Sequence, residues 1–247
     1  MATKASNPKH ALLKGFGKDA TAVLPKDAKL PNGTSDISIS GGKYSCVTEK
    51  PHVNSPNALV VGLAFIPRWR KGSVIKWAAK SKGWPTPEHG VVAANRLKEA
   101  AKEWNNHNVG VTFEWVDDIE EACFVLQYGG ELGRVLASAF FPNDALLNAV
   151  NVYSYAFEST QVGILKNVFL HELGHVLGLR HEFALDIGPT TFEGGAVPFL
   201  ESNSKSVMAY EFPPMIQASD VKSIKAFYKW PTSEKIGFFD VTDFNPM

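Results

Sequence analysis

Three histidines and a glutamate lie within one eleven-residue stretch, His171–His181, which has the pattern H-E-x-x-H-x-x-G-x-x-H. Side chains four residues apart on a helix share a face, with Cβ atoms about 5–6 Å apart, so His171 and His175 can bind one metal ion. Gly178 follows one turn later, where a left-handed residue ends a helix and turns the chain so that His181 can reach the same ion. Three imidazoles with a free fourth position are typical of a catalytic zinc site.

Glu172 lies beside the first histidine, where its carboxylate can take a proton from a water activated by zinc. We therefore predict one catalytic Zn²⁺ held by His171, His175 and His181, with Glu172 as the general base. Two other interpretations stay open. The chain could be a binding protein that keeps the metal without catalysis, or a structural zinc module, although the motif supplies no fourth protein ligand.

Two helices are predicted from the spacing of apolar residues. The helix that carries the motif is expected over 161–177, with Ser159 as its N-cap. An earlier helix is expected over Glu88–His107, with Pro87 at its first position. A further helix is expected near Ser219–Tyr228.

Six strands are predicted from short apolar or alternating runs. The run Ala122–Tyr128 is continuously apolar, which indicates a central strand buried on both faces. The predicted strands are Leu59–Ile66, Val74–Ala78, Val111–Val116, Ala122–Tyr128, Leu136–Phe141 and Ala149–Ser154.

Composition narrows the classes of partner. The chain has 247 residues, 45% of them hydrophobic, and a formal net charge of zero. Because no long basic run occurs, nucleic acid and anionic membranes are not expected partners. No apolar stretch is long enough for a transmembrane helix, and Ala11–Leu13 is too short for the core of a signal peptide.

The motif resembles that of the metzincin clan of zinc endopeptidases. Ser206–Tyr210 resembles the Met-turn of that clan, with Met208 under the metal, although Met is also a common core residue. Glu182 after the third histidine resembles astacins, where that residue helps to anchor the mature amino terminus. Tyr210 resembles the astacin and serralysin tyrosine that ligates zinc or stabilises the oxyanion; a plain core tyrosine is the alternative. Matrixin-like segments are Ile66–Lys71, Val135–Pro142 and Asp220–Tyr228.

The resemblance implies an α+β zincin fold. It comprises a twisted mixed five-stranded sheet with two long helices, and a smaller C-terminal lobe with the Met-turn and a closing helix. The expected boundaries are an irregular N-terminal extension or pro-segment at 1–57, a catalytic domain at 58–230 and a C-terminal tail at 231–247. Within the catalytic domain, residues 58–178 would form the upper lobe and 179–230 the lower lobe.

The resemblance also implies a metalloprotease that hydrolyses peptide bonds in proteins or peptides and works as a monomer. Substrate would pair with the sheet edge at Leu136 and Ala137 through backbone groups, unless this is an ordinary covered edge. Phe212 and Pro213 would form the wall of the pocket just beyond the scissile bond. Secretion would follow by family analogy, but the chain shows no signal peptide, and the compartment stays open.

The remaining metal and cysteine signals are weaker. Ser138 stands where matrixins often have a histidine, and the other histidines are too scattered for a second zinc site. Calcium has no recognisable loop, and calcium sites built from backbone carbonyls stay open as an alternative. Cys46 and Cys123 could form one bridge, but Cys123 is more typical of a buried free thiol. Cys46 lies upstream of the core and could reach the open metal position as a latency switch, although its neighbours do not resemble the matrixin switch motif and the extension looks short for it.

Overall fold

The computed structural model describes residue 9, residues 46–48, residues 65–185 and residues 196–247. The regular structure of residues 65–185 and 196–247 includes seven strands and three α-helices. The strands are β1 (Phe65–Trp69), β2 (Val74–Ala79), β3 (Thr112–Trp115), β4 (Phe124–Gly130), β5 (Ala137–Ser138), β6 (Asn148–Tyr153) and β7 (Asp240–Phe244). The helices are α1 (Pro87–Asn106), α2 (Leu165–Val176) and α3 (Ala218–Lys229).

Five of the strands form one mixed sheet in the order β3-β2-β4-β6-β5. Strands β2, β3, β4 and β6 are parallel, and the edge strand β5 runs antiparallel to β6. The central position of β4 agrees with the prediction, because Phe124, Val125 and Leu126 are all buried and so both faces of the strand are covered. The predicted strand at Leu136–Phe141 is much shorter than expected, since only Ala137 and Ser138 are in strand geometry.

Helices α1 and α2 pack against each other and help to cover the sheet. Helix α1 begins as predicted, with Thr86 as its N-cap, accepting from the backbone N–H of His89, and Pro87 in the first turn. The Trp104 indole N–H of α1 donates to the Leu170 carbonyl of α2 at 3.0 Å. This buried hydrogen bond joins the two helices beside the first histidine of the motif.

The start of α2 differs from the prediction. Ser159 is not its N-cap; the helix begins at Leu165, with Ile164 as an N-cap that makes no side-chain hydrogen bond. A 3₁₀ turn at Val162–Ile164 precedes the helix. The Glu158 carbonyl accepts from Gln161 and Val162, so the chain after β6 closes into local turns instead of an early helical turn.

A second, two-stranded sheet joins distant parts of the chain. Strand β1 pairs in parallel with β7, from Phe65 opposite Asp240 to Trp69 opposite Phe244. Residues 231–247, expected as a tail, therefore contain a strand. The expected strand at Leu59–Ile66 lies mostly outside the described residues. Helix α3 matches the predicted closing helix, and in the described part of the chain no helix combines the length and apolar character needed to cross a membrane.

Candidate active site

The three motif histidines come together at the end of α2. His171 and His175 are fully buried on the helix, and His181 is 4% exposed. His171 Nε2 lies 3.2 Å from His181 Nε2, and the ring centroids of the three pairs are 4.9–5.1 Å apart. The spacing of the motif therefore brings one ring nitrogen from each histidine within 4.8 Å of the other two.

Backbone carbonyls orient two of these rings. His171 Nδ1 lies 2.8 Å from the Val207 carbonyl, and His175 Nδ1 lies 2.8 Å from the Leu179 carbonyl. A ring that donates from Nδ1 keeps the lone pair on Nε2 for a metal. Burial, with smaller contributions from His171 and His181, lowers the pKa of His175 well below its usual range. The neutral ring is the form that binds a metal ion.

The donor set fits a tetrahedral zinc ion. Two nitrogens bound to one such ion lie about 3.3 Å apart, and a bound nitrogen and sulfur lie about 3.5 Å apart. The His171–His181 nitrogen separation is 3.2 Å, and Cys46 Sγ lies 3.5 Å from His175 Nε2. One ligand atom from each of Cys46, His171, His175 and His181 lies within 4.8 Å of every other.

The turn that brings His181 to the site follows from Gly178. This residue has φ +97°, and a Cβ there would lie 2.8 Å from the Pro67 carbonyl oxygen. Gly178 N–H donates to His175 C=O, and Leu179 N–H donates to Gly174 C=O, the pair of bonds that defines a Schellman motif. We call residues 176–181, which start with the last residue of α2, the ligand turn.

The predicted Met-turn lies directly under the histidines. Ala209 N–H donates to the Ser206 carbonyl at 2.9 Å, and Met208 N–H donates to Ser206 Oγ at 3.1 Å, so the chain forms a tight turn. The Met208 sulfur packs against the backbone of Gly174 so closely that a Cβ at Gly174 would collide with it. Glycine at this point of the motif is thus explained by the methionine below it.

The carboxylates of buried Asp220 and half-buried Glu182 hold the Met-turn. Asp220 Oδ2 accepts from Val207 N–H at 2.9 Å and from Gln217 N–H at 2.7 Å. Glu182 Oε1 accepts from Asn203 N–H at 2.6 Å, while Glu182 N–H donates to the Met208 carbonyl. Burial is the main cause that raises the pKa of Glu182. Glu182 thus bonds to the chain around the Met-turn in this conformation.

Glu172 is fully buried, and its carboxylate faces residues 46–48, which we call the blocking segment. Cys46 Sγ lies 3.6 Å from Glu172 Oε1. Thr48 Oγ1 donates to Glu172 Oε2 at 2.9 Å. The blocking segment therefore contacts both a motif histidine and the glutamate.

The predicted substrate edge is only partly free for pairing. The Leu136 carbonyl accepts from Tyr153 N–H of β6, so this group faces into the sheet. In an antiparallel ladder the orientation alternates, so the backbone groups of Ala137 and Ala139 face away from β6. Ala139 N–H does so, because it donates to Thr48 Oγ1 at 2.8 Å. Among the predicted edge residues, Ala137 is therefore better placed than Leu136.

The residues after the Met-turn lie near the histidines. The Tyr210 ring is 5.3 Å from the His181 ring, centroid to centroid. Phe212 and Pro213 are half-buried. Asn167 Nδ2 of α2 donates to the Pro214 carbonyl at 3.0 Å, which ties this segment to the motif helix.

Cys123 lies in the hydrophobic core, and Ser138 lies on β5. The two cysteines are not joined by a disulfide bond, and Cys123 is buried, as the sequence predicts for a thiol in the core. The Ser138 hydroxyl lies 3.0 Å from Tyr153 Oη and 3.3 Å from Asn151 Nδ2, so neighbouring polar side chains satisfy it.

A five-stranded mixed sheet, a helix that carries two of three clustered histidines and a methionine turn beneath them define the metzincin class of zinc endopeptidases. Residues 29–186, well over half of the chain, match the sequence profile of the matrixin family. The chain belongs to the matrixin family and is therefore a zinc metalloendopeptidase that acts on peptide bonds of proteins or peptides. A comparison with curated proteins found no match.

The contacts of Thr48 and Ala139 were not predicted from the sequence. A threonine two residues after a cysteine carries no recognisable signal, and the hydrogen bonds join residues 91 and 124 positions apart. The residues around Cys46 likewise lack a known motif, although Cys46 reaches the histidines. The matched residues begin at 29, ahead of the expected domain start at 58, and so include the blocking segment.

Proposed function

We propose that the protein cleaves peptide bonds with one zinc ion bound by His171, His175 and His181 and with Glu172 as the general base. A zinc ion there would supply Lewis-acid chemistry and lower the pKa of water towards neutrality. Glu172 would accept the proton of the attacking water and return it to the leaving amine. The observation that carries this proposal is the convergence of three buried imidazoles near the buried Glu172 carboxylate, which has the Cys46 thiol as a common neighbour with His175.

Tyr210 is proposed to stabilise the charge that develops on the carbonyl oxygen. Support comes from its ring, which lies 5.3 Å from that of His181 and is half-buried rather than enclosed in the core. A preorganised hydroxyl close to a developing oxyanion lowers the barrier because it need not reorient during the reaction.

Substrate is proposed to bind as an added strand along the edge of β5 that faces away from β6, after the blocking segment has left it. Ala137 and Ala139 would supply backbone hydrogen bonds, while Phe212 and Pro213 would line the pocket beyond the scissile bond. Apolar side chains in this wall favour an apolar residue after the cleaved bond. The protein is proposed to act as a monomer, without nucleic acid or membrane partners, which is consistent with its zero net charge.

The blocking segment is proposed to hold the enzyme latent as part of a pro-segment within residues 1–57. Cys46 approaches the metal ligands, and Thr48 bonds to Glu172 and to Ala139 N–H. A peptide substrate would need the same three features, namely the open metal position, the Glu172 carboxylate and the Ala139 N–H. Latency would therefore end when the segment leaves, by cleavage or by displacement of the thiol.

The test compares cleavage of a mixed library of unstructured peptides by the full chain and three variants. The Cys46→Ala protein should cleave faster than the parent, and a chelator should stop it. Glu172→Gln in the Cys46→Ala background should retain zinc but lose about 10²–10⁴-fold in rate. Glu131→Gln in the same Cys46→Ala background changes an exposed carboxylate elsewhere, and as the matched control it should keep the Cys46→Ala rate.

Two results would contradict the proposals separately. A Cys46→Ala protein that binds zinc without cleaving any peptide, even after trimming of its N-terminal region, would overturn the endopeptidase proposal and favour a binding protein. A parent protein already as active as Cys46→Ala would overturn latency alone and leave the catalytic assignment intact.

A further inference from the structure

The C-terminal end of α2 leaves carbonyl groups that need partners outside the helix. Helices end with about four such carbonyls, and buried ones must be satisfied. The Schellman bonds satisfy those of Gly174 and His175. The next two, on Val176 and Leu177, belong to fully buried residues at the start of the ligand turn.

Two aromatic side chains supply the missing donors. The Trp69 indole N–H of β1 donates to the Val176 carbonyl at 2.7 Å. The Tyr228 hydroxyl of α3 donates to the Leu177 carbonyl at 3.0 Å. Both aromatic residues are almost completely buried, and burial raises the pKa of Tyr228, so its hydroxyl remains a donor.

Arg68 connects this pair of donors to the C-terminal strand. Its guanidinium lies over the Tyr228 ring, 5.9 Å from the centroid, and donates to the Trp230 carbonyl at 3.0 Å. Arg68 Nε also donates to Asp243 of β7 at 2.8 Å, with the arginine side chain 3% exposed. Because Trp69 follows Arg68 in β1, both donors to the ligand turn share one buried support.

The ligand turn transmits this support to the metal ligands. Gly178 follows the two carbonyls, and the Leu179 carbonyl then accepts from His175 Nδ1 at 2.8 Å. His181 comes two residues later. A shift of the turn would therefore rotate His175 and displace His181 together.

We propose that Tyr228 and Trp69 are positioning residues that hold the ligand turn in the geometry in which His175 and His181 bind one metal ion. The inference rests on the proposed role of these histidines. It assigns a part in metal binding to α3 and β7, which lie beyond the matched residues 29–186.

The test measures zinc affinity of the full-length protein by competition with a chromophoric chelator. Tyr228→Phe removes only the hydroxyl and should weaken zinc binding about tenfold, the lower end of the effect of losing an indirect ligand support. The absorption bands of the cobalt-substituted protein should also change, since they report ligand geometry. Tyr128→Phe is the matched control: it deletes the same atom from a tyrosine bonded to Ser154, and should leave both readouts unchanged.

Several outcomes decide against the inference. Wild-type zinc affinity and an unchanged cobalt spectrum in Tyr228→Phe would overturn it, and so would equal losses in both tyrosine variants. If Tyr228→Phe does not fold, Trp69→Phe takes its place, with weaker zinc binding supporting the inference and unchanged binding overturning it. Because no cleavage is measured, these failures leave the endopeptidase proposal standing; a wild-type protein that binds no zinc would overturn both.

Discussion

The ligand turn and the blocking segment approach the same histidines but are held in different ways. The ligand turn is anchored at its buried ends, Val176 with Leu177 and His181, with half-buried residues between them. The carbonyls at the end of α2 all have partners, from the turn itself and from Trp69 and Tyr228. The blocking segment is half-buried and reaches the cleft through the side chains of Cys46 and Thr48. The first arrangement suits a permanent part of the site, and the second suits a part that can leave.

The largest effect is expected from a methyl group added to the ligand turn. Gly178→Ala would force a left-handed alanine, which costs about 1–2 kcal/mol, and would press its Cβ against the Pro67 carbonyl, which costs about 1–3 kcal/mol more. We expect the free energy of unfolding to fall by about 2–5 kcal/mol. Zinc affinity should fall as well, because His181 would be displaced. Denaturant unfolding and chelator competition measure the two effects.

Gly133→Ala is the control for that substitution. Gly133 also has a positive φ, +54°, but a Cβ there would meet nothing within 4 Å. It should cost about 1–2 kcal/mol through backbone strain and leave zinc affinity unchanged. Equal loss of zinc affinity in both variants would show that the turn at Gly178 has no special role.

A smaller effect is expected when the blocking segment loses one hydroxyl. Thr48→Val removes the hydrogen bonds to Glu172 and Ala139 without changing the shape of the side chain. A hydrogen bond to a charged group is worth about 1.5–3 kcal/mol, so peptide cleavage by the full chain should rise about 10- to 150-fold. Thr48→Ser keeps the hydroxyl and should stay near the parent rate. Equal rates for the valine and serine variants would show that the Thr48 hydroxyl does not contribute to latency.

The smallest effect concerns the reactivity of the two thiols. Burial raises the pKa of Cys123 to about 11. At pH 8 only about one molecule in a thousand would carry the reactive thiolate, so alkylation should stay slow until the pH approaches that value or the protein unfolds. Cys46 should react after zinc is removed by a chelator. Mass spectrometry of the labelled peptides distinguishes the two, and fast labelling of Cys123 in folded protein would contradict this account.

The parts of the fold that depend on local pattern were predictable. The periodicity of α1, the apolar run of β4 and the spacing of the histidine motif each depend only on residues that are close together in the sequence. The start of α2 was predicted wrongly because Ser159 has the chemistry of an N-cap, but the 3₁₀ turn at Val162–Ile164 takes its place.

The parts that depend on distant contacts were not predictable. Nothing near Tyr228 indicates that its hydroxyl binds a carbonyl 51 residues earlier, and nothing near Thr48 indicates Glu172. The latency idea for Cys46 could be formed from residue type alone, but its position next to His175 depends on the tertiary fold. Side chains that meet across such separations leave no periodic trace in the sequence.

The pairing of β1 with β7 bears on the order in which the molecule assembles. Phe65 and Asp240 are strand partners although they lie far apart in the sequence. Contacts between such distant residues form slowly, because the chain loses the entropy of closing a long loop before the contacts stabilise it. Arg68 can reach Asp243 only after this closure. A chain recovering from denaturant should therefore regain its helical circular dichroism well before it captures zinc tightly, and recovery of metal binding would mark the end of refolding.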